Sequence, residues 1–304
     1  MKKLTAVLAA LIMLVSVLAL AGAEDAPMKL SAPAGAPALA VATMAAENPE
    51  NYTFVAADTI AAEFQKNEAD FIIAPINAGA KLYKGGKSTY RLAAVVTWGN
   101  LFIASQKENF SLEDLRGGKI TLFGENTINA SVVLASLKAA GYEPEVEYLA
   151  GAANTQALLM EDGNAIVVTA EPALTAAKMK NSGITAYPVN ELLKKATGFD
   201  GYTQAGLFVR EKTAQERPDA VRAYLAGVEE AAGKCESDIP AVAEAAVKLE
   251  ILPNAKVAEK AIPGCAIRFL SAKEAREQVE ATANLDLSQF GGALPADDFY
   301  YGAE

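Results

Sequence analysis

The chain has 304 residues, a formal net charge of −10 and no histidine. The negative balance argues against nucleic acid or an anionic membrane surface as a partner. The lack of histidine excludes Ser-His-Asp and Cys-His catalysis, histidine general bases and most zinc sites. A chain of this length is too long for one ordinary core and suits two lobes.

The first residues have the composition of a secretory signal. Lysines occupy positions 2 and 3, an uncharged stretch fills positions 4–20, and small residues follow at 21–23. This order predicts a signal peptide over residues 1–23, cleaved before Glu24. An uncleaved anchor helix is the alternative, because the uncharged stretch is nearly long enough to cross a bilayer. We expect export, to a periplasm or to the extracellular face of the cytoplasmic membrane.

The chain contains two cysteines, Cys235 and Cys265, without CxxC spacing. In an exported protein such an even pair predicts a disulfide. The bridge would close a loop of about 30 residues and contribute roughly 3–4 kcal/mol on the chain-entropy estimate. Two buried free thiols are the alternative.

Short apolar segments alternate with helical stretches in the first part of the mature chain. We predict strands at 29–32, 52–56, 70–74, 91–96 and 101–104. Helices are predicted at 39–47 and 59–67, with turns at 33–37 and 75–79. Strands that alternate with helices at this spacing predict a mainly parallel sheet covered on both faces.

A second cycle begins near Phe110. Residues 111–114 fit a capping box at the start of a short helix. Further strands are predicted at 119–123, 145–149 and 165–169, with helices that end at Gly141 and Glu161. After a last strand at 206–209 the chain is predicted to be largely helical, at 218–230, 239–249 and 271–283.

This order predicts an α/β fold of two Rossmann-like lobes with a ligand cleft between them. The first part of lobe 1 spans 24–104, lobe 2 spans 105–203, and residues 204–304 return to lobe 1 with carboxyl-terminal helices. Residues near 103–106 and 202–206 are expected to form the hinge, because element ends of this kind can absorb a backbone rotation.

Five segments, in this order, resemble a known family: PAGAP at 33–37, DFIIAP at 70–75, LEDLRGGKI at 112–120, EPALT at 171–175 and RPDAVRAYL at 217–225. They resemble type II periplasmic solute-binding proteins, nearest to the nitrate/sulfonate/taurine and thiamine-precursor (SsuA-like) branch of ABC transporter substrate-binding proteins. The resemblance implies closure of two lobes on a small solute and delivery to a membrane permease. Position 23 is Ala23, where lipoprotein members carry cysteine, so no lipid anchor is implied.

The first candidate ligand-binding residues lie in turns at strand ends of the first lobe, where this family lines its cleft. Ala34, Gly35 and Ala36 lead into a helix whose free amides attract anions or polar acceptors. Asn77, with Ala78, offers donors and an acceptor to an amide-like or heterocyclic solute. An ordinary turn is the alternative for both segments.

The next candidates lie near the first crossing between the lobes and in the second lobe. Trp98, the only tryptophan, is predicted to stack on a ring or cover a cation, with Asn100 beside it. A core position is the alternative. Asn126 and Thr127 are expected to turn amides and a hydroxyl toward the cleft, although helix capping alone explains both.

Two acids and one connector complete the predicted site. Glu125 and Glu171 lie at strand ends, where an unpaired carboxylate opposes an anionic ligand, so the sequence favours a neutral or cationic solute. Tyr202 and Gln204 are expected at the cleft floor. A plain connector is the alternative.

The sequence therefore predicts an extracytoplasmic solute-binding protein, not an enzyme. Its ligand would be a small polar molecule of the sulfonate, nitrate or thiamine-precursor/heterocycle class, delivered to an ABC transporter permease. We expect a monomer with no cofactor and no metal. An extracytoplasmic enzyme or a sensor ectodomain on the same fold is the alternative, although no G-x-S-x-G motif and no S-x-x-K followed by K-T-G occur.

Overall fold

The computed structural model describes residues 26–302. The predicted signal peptide, residues 1–23, lies outside this range. Among the described residues, no helix is both long enough and apolar enough to cross a membrane.

Within this range eleven strands form two separate sheets. The strands are β1 (Leu30–Pro33), β2 (Tyr52–Val55), β3 (Phe71–Pro75), β4 (Tyr90–Thr97), β5 (Leu101–Ser105), β6 (Lys119–Phe123), β7 (Glu145–Leu149), β8 (Ile166–Ala170), β9 (Thr185–Pro188), β10 (Ala205–Arg210) and β11 (Ile267–Ser271). Short 3₁₀ segments and twelve α-helices connect the described strands. The helices are α1 (Ala42–Glu47), α2 (Ile60–Lys66), α3 (Ile76–Lys84), α4 (Ile128–Ala139), α5 (Ala152–Glu161), α6 (Ala173–Lys180), α7 (Val189–Thr197), α8 (Glu211–Glu216), α9 (Pro218–Ser237), α10 (Ile239–Lys248), α11 (Ala255–Ala261) and α12 (Ala272–Leu285).

The first sheet has the order β11-β4-β10-β3-β1-β2 and is mixed, not mainly parallel as predicted. β1 runs parallel to β2 and β3, whereas β10 runs antiparallel to both β3 and β4. The reason lies at the point where the chain returns from the second lobe. Ala205, the first residue of β10, pairs with Thr97, the last residue of β4. A strand that starts where β4 ends must run back along it.

The second sheet has the order β7-β6-β8-β5-β9, with β5 antiparallel to β8 and β9. Residues 101–104, predicted to belong to the first lobe, are part of this second sheet. The chain passes between the sheets at 98–100 and 198–204, which we call the two crossings. The hinge expected at 103–106 is therefore misplaced, because residues 103–105 are held by strands on both sides.

Several local predictions are confirmed. Ser111 and Asp114 form the predicted capping box, in which the Ser111 backbone amide donates to the Asp114 carboxylate at 2.9 Å. Strands β6 and β7 have the predicted bounds. The segment 75–79, predicted as a turn, is instead the junction of β3 and α3.

The predicted disulfide does not form: Cys235 and Cys265 are free and buried. Both lie in one apolar cluster that also holds Leu39 and Val242. Burial raises the pKa of the Cys235 thiol to about 12. Burial also raises the pKa of the Cys265 thiol well above its usual value, and nearby Glu171 and Cys235 add smaller contributions. Disulfide formation proceeds through the thiolate, so these surroundings keep both residues as thiols.

Candidate functional site

Polar contacts hold the second crossing against the first crossing and against the end of β4. The backbone amide of Gln204 donates to the carbonyl oxygen of Thr97 at 3.0 Å. The side-chain Nε2 of Gln204 donates to Oδ1 of Asn100 at 3.1 Å. The backbone amide of Ala205 donates to the Thr97 hydroxyl at 2.8 Å. These bonds fix the floor between the lobes, beside which a cavity opens.

That cavity, which we call the cleft cavity, has a volume of about 320 Å³ and takes its walls from both lobes. Its size lies at the lower end of the range of roughly 300–1,000 Å³ for small-molecule sites. The lining residues are Pro33, Ala34, Pro37, Ala57, Pro75, Asn77, Ala78, Thr127, Ile128, Asn129, Gln204, Ala205 and Gln289.

Two helices from different lobes begin at the cleft cavity. α3 starts directly after Pro75, which offers no side-chain cap, so the amides of Asn77 and Ala78 lack the partners that a helix interior provides. α4 starts after Thr127, whose hydroxyl accepts only from the amide of Ala130 at 3.4 Å. Free amides and the positive end of the helix dipole make both walls attractive to a negatively charged or acceptor-rich group.

Amide side chains supply further polar contacts. Asn77 Oδ1 is buried and has no hydrogen-bond partner in the protein. Asn129 Oδ1 accepts a hydrogen bond of 2.7 Å from the hydroxyl of Tyr202. Gln289 Nε2 donates to the carbonyl oxygen of Asn126 at 3.0 Å. Asn77 therefore brings to the cavity lining an amide whose acceptor no protein group satisfies.

None of the lining residues is ionisable. The remaining lining consists of proline, alanine and isoleucine, which present apolar surface. The cavity can hold a small molecule with one polar end at the helix starts and an apolar body. Charge on such a ligand would be met by backbone dipoles, with no ion pair from the wall.

Five of the predicted site residues line the cleft cavity: Ala34, Asn77, Ala78, Thr127 and Gln204. Gly35 and Ala36 are next to it but do not line it. Gly35 has φ of 114°, where a side chain would be strained, and Ala36 is buried at the start of a 3₁₀ segment. The first turn thus reaches the cavity through Ala34 and Pro37.

Trp98 lies away from the cleft cavity and has a structural role. Its side chain is buried, and the indole N–H donates to the carbonyl oxygen of Arg268 at 2.8 Å. The Arg268 guanidinium lies 4.2 Å from the ring centroid, so this cation occupies the ring face that was predicted to bind a ligand. The core alternative is the observed one.

Asn100 and Tyr202 support the site from behind. Asn100 is buried, donates to the carbonyl oxygen of Glu171 at 2.9 Å and accepts from Gln204. Tyr202 is also buried and reaches the cavity only through its hydrogen bond to Asn129. Both residues position lining side chains.

The two acids and Asn126 do not line the cleft cavity. Glu125 and Asn126 are exposed beside it. Glu171 is buried in another part of the lobe interface, where its side chain packs on Gly264. Loss of hydration raises the pKa of Glu171, and hydrogen bonds from the amide and hydroxyl of Thr175 oppose that rise. Neither carboxylate therefore faces the cleft cavity to favour a neutral or cationic solute there.

Eight lining residues were not among the predicted site residues. They are Pro33, Pro37, Ala57, Pro75, Ile128, Asn129, Ala205 and Gln289. Asn129 carries a usable signal, since it follows the helix cap Thr127 by two positions. Gln289 carries none, because packing of the distant segment after α12 brings it to the cavity.

No family profile matches the sequence, and no curated protein matches it at a significant level. Solved structures do match. One, described as an ABC transporter from Parabacteroides distasonis, superposes with a TM-score of 0.79 at 22% identity, covering 92% of this chain and 100% of that one. The periplasmic aliphatic sulphonate binding protein SsuA from Escherichia coli has a TM-score of 0.66 at 17% identity, covering 86% of this chain and 88% of its own.

The alkanesulfonate-binding protein SsuA from Xanthomonas axonopodis pv. citri, bound to MOPS, has a TM-score of 0.62 at 17% identity. The match covers 92% of this chain and 98% of that one. Identities this low establish the fold alone. The predicted fold is confirmed: the chain has the periplasmic-binding-protein fold, with two α/β lobes and a cleft between them.

Proposed function

We propose that the protein is an extracytoplasmic solute-binding protein that captures a small molecule and delivers it to the permease of an ABC importer. The observation that carries the proposal is the cleft cavity, whose walls come from both lobes. Asn77 lies on one wall and Thr127 on the other. A solute that contacts both walls does so only when the lobes are closed, so binding shifts the population toward closure.

The two crossings, 98–100 and 198–204, are the segments about which the lobes would rotate. Both are short and lie outside strands and helices. Gly99 has φ of 88° and Gly201 has φ of 94°, backbone conformations that other residues rarely adopt. The first half of the proposed hinge therefore lies at 98–100, just before β5, and not at the predicted 103–106. Its second half, 198–204, overlaps the predicted 202–206.

The lining residues favour a solute with an acceptor-rich head and a short apolar body. Free amides at the starts of α3 and α4 suit an oxygen-rich head group, as in an aliphatic sulfonate. The prolines and alanines suit the apolar part. Nitrate lacks such a part and would leave the apolar wall uncovered, so we place it second. The two SsuA structures are described as sulfonate-binding proteins, which agrees with this order.

The same lining supports binding over catalysis. Thr127 carries the only hydroxyl among the lining residues, and that hydroxyl already donates to the carbonyl oxygen of Gly124 at 2.6 Å. No lining side chain is a general base. The residues around the cavity therefore supply contacts and no proton-transfer group.

The proposal requires an exported protein that meets a permease outside the cytoplasm. The basic, apolar and small-residue segments at 1–23 support export. The net charge of −10 supports a partner other than nucleic acid.

The test is identification of the solute. Protein purified without denaturant is unfolded, and the released small molecules are identified by mass spectrometry. The candidate, together with taurine, short alkanesulfonates, nitrate and thiamine precursors, is then titrated calorimetrically into the refolded protein. We expect one-to-one binding of a compound with an oxygen-rich head and an apolar body. Absence of any released compound, together with absence of heat for the whole panel, would contradict the proposal.

A further inference from the structure

The segment after α12 reaches across the cleft to the second lobe. α12 packs on β4 and β11 of the first sheet and ends at Leu285. Asp286 follows directly. Its Oδ2 accepts a hydrogen bond of 2.7 Å from the hydroxyl of Ser131, which lies on α4 of the second lobe. A carboxylate of one lobe thus holds the helix that forms a cavity wall in the other.

The same carboxylate is fixed on the side of the first lobe. Oδ1 of Asp286 accepts from the backbone amide of Ser288 at 3.1 Å and from its hydroxyl at 2.5 Å. Hydrogen bonds from Ser288 and Ser131 lower the pKa of Asp286, so the group is ionised at neutral pH. Because one oxygen is held locally, the other is oriented toward Ser131 without further loss of side-chain freedom.

A second bond crosses the cleft three residues later. Gln289 Nε2 donates to the carbonyl oxygen of Asn126 at 3.0 Å. Asn126 lies just before the start of α4, and Gln289 itself lines the cleft cavity. This residue therefore contacts the second lobe and faces the solute site at the same time.

The segment is anchored to the opposite wall of the cavity. Lys84, at the end of α3, donates from Nζ to the carbonyl oxygen of Gly291 at 2.8 Å. Phe290 is buried in the core, and its 3₁₀ segment (Leu287–Phe290) packs against α3. A continuous path thus runs from α3 through residues 286–291 to α4, the two helices that begin at the cavity.

We infer that Asp286 and Gln289 form a clasp that holds the lobes closed through Ser131 and Asn126. Asp286 and Ser131 are positioning residues, since neither lines the cavity. Gln289 links the clasp to the solute. The effect on solute affinity rests on the proposed function, whereas the effect on lobe closure does not.

The clasp is tested on the protein alone by the distance between the lobes. Asp58 and Ala150 are exposed, one in each lobe, and Asp58→Cys with Ala150→Cys provides two sites for spin labels. The native cysteines are buried thiols and do not compete. Ser131→Ala removes the clasp donor, whose single proton has a second, more distant acceptor in the carbonyl oxygen of Thr127 at 3.2 Å. Alanine favours the helix, so α4 is expected to stay folded.

In pulsed electron paramagnetic resonance, the clasp predicts a shift of the distance distribution toward longer distances in Ser131→Ala. Ser288→Ala is the matched control, since it removes one hydrogen bond to the same carboxylate, while the Ser288 backbone amide still holds Oδ1 and the bond to Ser131 stays in place. The control is expected to keep the parent distribution. An unchanged distribution in Ser131→Ala, or equal shifts in both variants, would overturn the clasp.

Solute binding gives a second readout once the solute is identified. Loss of one hydrogen bond to a charged group is expected to weaken affinity about tenfold. The loss should appear as faster dissociation with little change in association, because the clasp acts after closure. Asp286→Ala and Ser131→Ala should be non-additive in a double-mutant cycle, because each removes the bond between Asp286 and Ser131. Additive losses would contradict a shared clasp. A failure to find any solute would count against the proposed function only, since the distance measurement stands without it.

Discussion

The hydroxyl of Tyr202 donates a hydrogen bond of 2.7 Å to Oδ1 of Asn129. Tyr202 is buried in the second crossing, and Asn129 lines the cleft cavity at the start of α4. The tyrosine bond fixes the orientation of the Asn129 amide and uses one of the two acceptor positions of Oδ1, and the amide nitrogen remains as a donor for the solute. A residue of the crossing thereby sets the orientation of a cavity side chain.

Removal of that hydroxyl is expected to weaken solute binding. In Tyr202→Phe, Asn129 keeps its place but loses the bond that orients it, so we expect a loss of affinity of about 3- to 10-fold, in line with one hydrogen bond. Calorimetry gives the dissociation constant. In a double-mutant cycle with Asn129→Ala, the tyrosine change should have no further effect. An equal effect of Tyr202→Phe in both backgrounds would contradict this role.

Trp98 is expected to stabilise the fold and to make no contact with the solute. Trp98→Phe loses the hydrogen bond to Arg268 and weakens the contact with its guanidinium. We expect a decrease of about 1–3 kcal/mol in the free energy of unfolding, measured by denaturant titration. Affinity should stay within about twofold of wild type. A loss of affinity in Trp98→Phe well beyond twofold would show that Trp98 does contribute to solute binding.

The raised pKa of Glu171 predicts that the stability of the protein depends on pH. Its pKa in the folded protein is raised, chiefly by loss of hydration, above the ordinary value of 4.5. Between these two values the folded protein retains the proton that the unfolded chain releases, so stability falls as pH rises through this window. Below pH 4.5 the cost of the buried charge is absent. Above the raised pKa the cost is complete.

Glu171→Gln should therefore be more stable than wild type near pH 8, and the advantage should disappear near pH 4. Urea unfolding midpoints at the two pH values measure this. Asp200→Asn, which alters an exposed pair with Lys194, serves as a control and is expected to change little. A variant that is less stable than wild type at pH 8 would mean that the bonds to Thr175 outweigh the cost of burial.

The cysteines are expected to be unreactive thiols. Burial and raised pKa values reduce the thiolate of Cys235 and Cys265, so a thiol reagent at pH 8 should modify neither in the folded protein. After denaturation without reductant, both should be modified, with a mass increase of two adducts. If the denatured protein accepts no reagent until it is reduced, the two cysteines do form a disulfide.

The sequence predicted the buried strands and two of the four edge strands, β2 and β7, and missed the other two edge strands. β3 and β6 are apolar runs between turns, and both were placed within one residue. The two missed strands, β9 and β11, are half-buried along most of their length. Their side chains show neither an apolar run nor a clear alternation.

Only part of the site was predicted, because local patterns place some of its residues and contacts with distant segments place the others. Asn77 and Thr127 follow strand ends, so the local pattern places them at the cleft. Trp98 and Glu171 also follow strand ends, yet each is already bound within the protein. Trp98 donates a hydrogen bond to the Arg268 carbonyl oxygen, and Glu171 accepts one from the Thr175 hydroxyl. Gln289 comes from a distant segment. Contacts of this kind depend on packing between remote parts of the chain, which composition and spacing do not encode locally.

Ala78→Phe tests whether the solute lies in the cleft cavity, as we propose. Ala78 is the third residue of α3 and lines the cavity, so a phenyl ring there fills the space that the solute needs. Ala61→Phe, on the exposed face of α2, is the matched control. Calorimetric titration of the identified solute should show binding to wild type and to the control, and none to Ala78→Phe with an unchanged unfolding midpoint. Equal affinity in all three proteins would contradict the assignment of the site.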